Sequence, residues 1–441
     1  MLTTPPPGQR LRALHVFPLF GRELTNGSEY YAYQLSRQLA ALGVQVDVLT
    51  TRARSFRSSS WLSLRWEGPD LPASEHTDGL AIFRFPALSM PRPLGRLLSR
   101  LVLRRWRSEA AQPPVGQSPA EQHYRRASAR PIAYDLMMMA GLGPWSPALL
   151  AQLSRAVAGY DVVLVGFMPL ALTWQVRRLA ERRGTPIVLL PLFHPEDAYH
   201  HHRVHYHSFA RARAILSQTS YSTALFQQLW PMSRPLEIGA GVDPAELSDA
   251  AIDGARFRAR HGLGDRPLVL FVGRKAASKR YDMAIEAVRA VPDRRPVLVM
   301  IGEDADGRPI DEERVLYLGK LPRAELLDAY DACDLLLHPS EYESFGIVLL
   351  EAWMRGKPVI ANRACHASAA LIADGADGFV CDNAADMAVR IAELLARPDL
   401  ARALGAAGRR KVLERYTWEA IGRAVYRLYA QIAAESAGHT V

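Results

Sequence analysis

Arg274 and Lys279 stand five residues apart in FVGRKAASKRYDMAIEAV, just after an apolar run that ends at Val272 and a glycine, Gly273. A guanidinium gives planar, bidentate contacts and an ammonium gives a mobile point charge. Together in one loop they suit a diphosphate on which negative charge grows. The chain has only five lysines, two of them (Lys275 and Lys279) in this loop, whereas 49 of its 54 basic residues are arginine. Short basic loops are also common as solvated turns, and the residues alone leave both readings open.

A second constellation is LLLHPSEYESFGIVLLEAWMRGKPVIA. Ser344, Phe345 and Gly346 are expected to open a helix running from around Phe345 to Arg355, with free N–H groups and a positive dipole end able to face an anion. Glu343 stands at that lip and Glu351 lies eight residues on, about 12 Å along a helix rising ~1.5 Å per residue. The paired acid and base of a glycosidase stand about 5–10 Å apart, so these two carboxylates are not such a pair. They can instead hold hydroxyls at two ends of one extended ligand, one on a sugar and one on a ribose. The plainer alternative is an exposed Glu343 and a Glu351 paired to Arg355 at i+4.

Six of the 13 histidines fall between His194 and His207, and His201 with His205 has the i, i+4 spacing of helical metal ligands. No acidic or cysteine companion with metal-site spacing follows, so no metal is expected. The cluster reads as an edge of a substrate cleft, with His194 the member expected to touch substrate.

These residues need a scaffold, and apolar runs of strand length alternate with helical-period segments almost from end to end. That is the pattern of parallel sheets flanked by helices, an α/β class with two doubly wound, Rossmann-like halves. LRALHVFPLF, VQVDVLTT, AIFRFP, YDVVLVG, TPIVLLPLF and ARAILSQ are strands of the first half. SEYYAYQLSRQLAALG is a helix closed by Gly43. PLVLFVG, PVLVMIG, VLYLG, DLLLHPS and KPVIA are strands of the second, with helices over Tyr281–Ala290 and around Arg323–Tyr330. Residues 108 to 131 carry four prolines and no apolar period, and read as a loop or insertion.

The second half resembles the donor-binding domain of retaining nucleotide-sugar glycosyltransferases of the GT-B fold, the family 4 glycosyltransferases. The resemblance rests on G-R-x4-K at Gly273, Arg274 and Lys279, on E-x7-E at Glu343 and Glu351, on IADGADGFV and on the closing YTWEAIGRAVYRLY. It implies two domains facing across a cleft: residues 1–243 for the acceptor, 244–416 for the donor, and a C-terminal helix over 417–441 packing back toward the first. Arg274 and Lys279 would then grip the diphosphate and Glu351 the ribose. Glu343 would bind sugar hydroxyls, with Ser344, Phe345, Gly346 and Ile347 of the helix opening around them. The turn at Asn26, Gly27 and Ser28 is similar to the family's glycine loop near the phosphates. His194, in FHPED, matches a histidine that faces the transferred sugar, and GAGVDP (Gly239–Pro244) matches the boundary between domains.

One segment departs from the pattern. Where the family has Gly-Gly-x-x-Glu, this chain reads NRACHASAALIADG, with no glycine pair and Ala370 in the place of the glutamate. The activity implied is transfer of a sugar from a nucleotide-diphosphate sugar to a hydroxyl, on a glycan or lipid-linked acceptor or another cell-envelope glycoconjugate, without cofactor or metal. A GT-B nucleotide-sugar epimerase and an inactive sugar-nucleotide-binding protein are the alternatives.

Composition bounds the rest. The 441 residues are 49% hydrophobic and 22% charged, ordinary for two or three globular domains. Three cysteines, Cys333, Cys365 and Cys381, make no disulfide framework and point to a reducing compartment, the cytoplasm. No run approaches the ~18 apolar residues of a membrane span, and MLTTPPPGQR has no apolar leader core. The net charge of +9 is uneven. Up to residue 220 there are 26 basic and 14 acidic residues (+12), and beyond it 28 and 31 (−3). Residues 92–107, RPLGRLLSRLVLRRWR, place leucines on one helical stripe and Arg92, Arg96, Arg100 and Arg104 on another, a pattern suited to peripheral contact with anionic lipid or to a helix packed on its own domain. The aromatic interleaving of nucleic-acid binders is missing, so no nucleic-acid partner is expected.

Overall fold

The computed structural model describes residues 10–22, 27–53, 71–88, 118–197, 200–292 and 295–438. They form two compact units. The first takes the chain through Gln218, then Ser222–Ile238, and again from Ile421 onward; the second takes Thr219–Tyr221 and Gly239–Ala420.

The first unit is built on an eight-stranded sheet. Its strands are β1 (Arg12–Val16), β2 (Gln45–Thr51), β3 (Ser74–Thr77), β4 (Leu80–Phe85), β5 (Val162–Gly166), β6 (Ile187–Leu190), β7 (Ala214–Ser217) and β8 (Pro235–Glu237). They lie in the order β3-β4-β2-β1-β5-β6-β7-β8. Every pairing is parallel except β3 with β4. The strands VVLVG, IVLL and AILS are buried at every position, as strands covered on both faces by helices must be. Edge strand β3, Ser-Glu-His-Thr, is exposed or half-buried throughout.

In the second unit β9 (Leu268–Val272), β10 (Val297–Ile301), β11 (Val315–Tyr317), β12 (Leu335–His338), β13 (Val359–Asn362) and β14 (Gly378–Cys381) form a parallel sheet in the order β11-β10-β9-β12-β13-β14. Valine, isoleucine and leucine fill these short strands, and the apolar faces of helices Tyr281–Ala290 and Ala384–Ala396 complete the core. The α/β, doubly wound architecture read from the sequence is therefore present in each unit.

Within the first unit the C-terminal helix packs against β1 and the helix Gly27–Ala41. The Tyr429 hydroxyl lies 3.2 Å from Nε2 of buried His15, and a Cβ on Gly422 would come within 2.8 Å of Gln38 Cβ. All three cysteines are free and buried.

The segment read as a loop over 108–131 is corrected in part. From Ser118 onward it folds, with a helix over Pro119–Ser128. A capping box joins the Ser118 hydroxyl to the N–H of Glu121 and the Glu121 carboxylate to the N–H of Ser118, Pro119 sits in the first turn, and Ala120 and Ala127 are buried. Residues 108–117 and the basic stretch 92–107 lie outside the described residues. No described helix is long and apolar enough to cross a membrane.

Candidate functional site

In the second sheet the strand order reverses at β9, which has β10 on one side and β12 on the other. Loops leaving neighbouring strands in opposite directions open a crevice at their carboxyl ends, where open α/β sheets bind ligands. The loop after β9 carries Gly273, Arg274, Lys275 and Lys279; the loop after β12 carries Glu343 to Gly346.

The two loops are joined. The Glu341 N–H donates to the Ser278 carbonyl at 3.0 Å, and the Lys279 ammonium donates to Glu343 Oε1 at 2.5 Å. Behind them His338, at the end of β12, places Nε2 3.6 Å from the same oxygen, an electrostatic rather than a hydrogen-bonding distance. Burial pushes the Glu343 carboxyl up, but the Lys279 ammonium, with a hydrogen bond from Ser340, outweighs it and holds the carboxyl below its ordinary value. Burial lowers the His338 imidazole to about 4, so it is neutral near pH 7.

The two adjacent cations of the first loop have opposite surroundings. Arg274 is exposed and has no ion pair or side-chain hydrogen bond among the described residues. Lys275 turns inward, with its side chain 1% exposed, and binds Asp304 at 2.8 Å, Asp306 at 2.5 Å and the Arg308 carbonyl at 2.7 Å. Burial would lower its pKa, yet the two aspartates raise it. Lys275 thus ties the loop after β9 to the loop after β10, a role its sequence position did not announce. Gly302 closes the same junction: its φ is +151°, and a Cβ there would lie 2.0 Å from the Gly273 carbonyl oxygen.

Gly346, at φ +110°, caps a helix that runs over Ile347–Met354, shorter at both ends than the sequence reading. A Cβ on it would meet Ser368 Oγ at 2.8 Å. Phe345 is buried, with its ring 5.6 Å from that of Tyr416, while Ser344 and Ile347 are half-buried.

Glu351 does not pair with Arg355. Arg323 donates to its Oε1 and the Tyr330 hydroxyl to its Oε2, both at 2.6 Å, and Arg355 pairs with Asp331 instead. Glu351 is buried, with both oxygens in protein hydrogen bonds.

Two predicted residues belong to the first unit. Gly27 opens the helix Gly27–Ala41 after β1, is exposed, and a Cβ on it would meet nothing within 4 Å; Asn26 lies outside the described residues. His194 follows β6, half-buried, with its ring 4.8 Å from that of His200. The i, i+4 pair is not a pair of helical ligands, because His201 precedes the helix Arg203–Arg211. Its nitrogens face the Tyr206 hydroxyl and the Pro195 carbonyl, each at 2.7 Å, while His205 Nε2 donates to the Pro169 carbonyl at 2.9 Å. Among the described residues no group of three or more histidine, cysteine or acidic side chains is placed to hold a metal.

Residues 254–411 match the family model of the glycosyl transferases group 1. The chain is similar to a GDP-mannose-dependent alpha-(1-6)-phosphatidylinositol monomannoside mannosyltransferase of Mycolicibacterium smegmatis, 29% identical over 63% of this chain and 78% of the relative. It is also similar to a D-inositol 3-phosphate glycosyltransferase of Xylanimonas cellulosilytica, 33% identical over 43% of this chain and 48% of the relative. Among solved structures, the sucrose-phosphate synthase of Thermosynechococcus elongatus superposes with a TM-score of 0.64 at 20% identity, covering 96% of this chain and all (100%) of that one. The glycosyltransferase WaaG superposes at 0.54 and 18% identity, covering 95% and 99%. At these identities the structural likeness speaks for the fold.

Proposed function

We propose that the chain, whose residues 254–411 match the glycosyl transferases group 1 and whose fold is that of the GT-B glycosyltransferases, moves a sugar from a nucleotide-diphosphate sugar to a hydroxyl acceptor with retention at the anomeric carbon. The observation that carries the reading is the joined pair of loops at the switch point of the second sheet, with Lys279 bound to Glu343 beside an exposed Arg274. An ammonium has three N–H donors, so Lys279 can hold Glu343 and still reach phosphate oxygens. As the bond from the anomeric carbon to the diphosphate breaks, negative charge grows on the leaving group. Arg274, Lys279 and the free N–H groups opening Ile347–Met354 stabilise it. The acceptor oxygen forms its bond on the face the diphosphate leaves, and its proton passes to a phosphate oxygen of the leaving nucleotide. Glu343, Ser344, Phe345 and Gly346 hold the sugar. Glu351 shares its remaining lone pairs with the ribose while Arg323 and Tyr330 fix it. In the first unit, Gly27 and His194 remain candidates only by the family resemblance, the one for phosphate and the other for the transferred sugar. Arg274 and Lys279 supply the cationic charge, so the reaction needs no cofactor or metal.

The acceptor is a glycan or lipid-linked hydroxyl at the cytoplasmic face of a membrane. In support, one relative is named for a phosphatidylinositol monomannoside, and the balance of +12 falls in the first half of the chain, where residues 92–107 would touch anionic lipid. A thermal-shift series with nucleoside diphosphates and their sugars tests the donor. A ligand of the native state at 100-fold its Kd adds about 2.7 kcal/mol of stability and raises Tm. The reading falls if no nucleotide shifts Tm and none is released from a nucleotide sugar when acceptors are added. The membrane contact falls if anionic vesicles do not retain the protein at low salt.

A further inference from the structure

Three separate pieces of the second unit meet at the hydroxyl of Ser368. The residue is fully buried in the short helix His366–Ala369, inside the NRACHASAALIADG segment that departs from the family pattern. A hydroxyl has one proton to give and two lone pairs to receive with. Ser368 Oγ donates to the Phe345 carbonyl at 3.2 Å, and the Cys365 thiol donates to Ser368 at 3.4 Å. His338 Nε2 lies 3.2 Å away.

With its own proton committed to Phe345, Ser368 must receive from His338. Burial keeps the imidazole neutral, so the tautomer is fixed: Nε2 carries the proton and donates to Ser368. The same nitrogen stands 3.6 Å from Glu343 Oε1, so the ring held by Ser368 is the one packed beside that carboxylate. On the other side, Ser368 Oγ fills the space that a side chain at Gly346 would need, 2.8 Å from the Cβ position. One hydroxyl therefore links the carbonyl preceding the Gly346 turn to the imidazole beside Glu343.

We propose that Ser368 is a positioning residue for this site, fixing the Phe345–Gly346 turn and, through His338, the Glu343 carboxylate, and so orienting the transferred sugar. The proposal rests on the donor-site reading above. Arg274 and Lys279 keep the grip on the diphosphate, so the loss of Ser368 separates turnover from nucleotide affinity. A merely structural role would weaken both together.

The test is Ser368→Ala, with kcat measured on the nucleotide sugar found by thermal shift and Kd measured for its nucleoside diphosphate. Leaving Phe345 and His338 without their shared partner lowers kcat about ten- to hundredfold, with Kd within about twofold of wild type. A Kd that rises in step with the loss of kcat, or no change in either, overturns the proposal. If Ser368→Ala does not fold, His338→Leu and His338→Gln decide it. The glutamine amide can still donate to Ser368, so it retains kcat within about fivefold of wild type, whereas leucine loses about ten- to hundredfold. Equal losses in the two overturn the proposal. A wild-type protein that neither binds nor consumes any nucleotide sugar overturns the donor reading itself, before any Ser368 variant is needed.

Discussion

The Lys279 ammonium lies 2.5 Å from Glu343 Oε1 and so bridges the loops that follow neighbouring strands β9 and β12. Their side chains are only 16% and 19% exposed, so each charge depends on the other for compensation. Lys279→Ala leaves a carboxylate that burial pushes toward protonation, and it should cost about 1–3 kcal/mol in urea unfolding. Adding Glu343→Gln removes the stranded charge and should recover part of that loss. A double-mutant cycle with no coupling between the two sites contradicts the pairing.

Arg274 and Lys275 are neighbours with opposite tasks, and their alanine variants should divide accordingly. Arg274→Ala touches no partner among the described residues, so stability stays within about 0.5 kcal/mol. Nucleoside diphosphate affinity falls about ten- to hundredfold, the worth of a charge-assisted contact. Lys275→Ala leaves Asp304 and Asp306 facing each other without their shared cation and lowers Tm. Unfolding and nucleotide titration of both variants check the contrast. A destabilised Arg274→Ala with undiminished affinity goes against it.

Glu351 is fixed from two directions, and Tyr330 supplies the donor that is fully buried. Tyr330→Phe keeps the ring packing and removes one hydrogen bond to a carboxylate. It should lower stability by about 1–2 kcal/mol, read as a shift of the urea midpoint at unchanged m-value. An unchanged midpoint means that the hydroxyl contributes nothing to holding Glu351.

Local rules read well where the answer was local. The helix Tyr281–Ala290 follows from its apolar period, and the buried strands follow from short runs of valine, isoleucine and leucine. The helix Pro119–Ser128 was read instead as a loop, because polar and arginine-rich turns hide its apolar period, although Ser118 and Glu121 have the spacing of a capping box. The site is less local. From sequence, Glu351 finds a partner at i+4, yet Arg323 and Tyr330, 28 and 21 positions earlier, take it because the fold brings their helix alongside. Ser368 and His338 are 30 positions apart, on different elements, and no spacing rule joins them. The G-R-x4-K loop marked where the site is, whereas the inward turn of Lys275 becomes visible only once the aspartates after β10 are placed.

Buried histidines give the fold an acid limit. Burial holds His15, His201 and His205 down to about 3 and His338 to about 4, against an ordinary value near 6.5. Between roughly pH 6.5 and those values the unfolded chain binds protons that the folded chain refuses, so stability falls as pH falls, by up to about 1.4 kcal/mol per pH unit for each histidine. Above pH 6.5 both states hold them neutral and this contribution is flat. Urea midpoints should therefore drop between pH 7 and pH 5. His205→Gln isolates one member: the amide can still donate to the Pro169 carbonyl, so stability at pH 7 is largely kept while one titrating group is lost. The slope against pH should become shallower by about one proton's worth. A slope identical to wild type means that His205 takes up its proton in the folded state as readily as in the unfolded one.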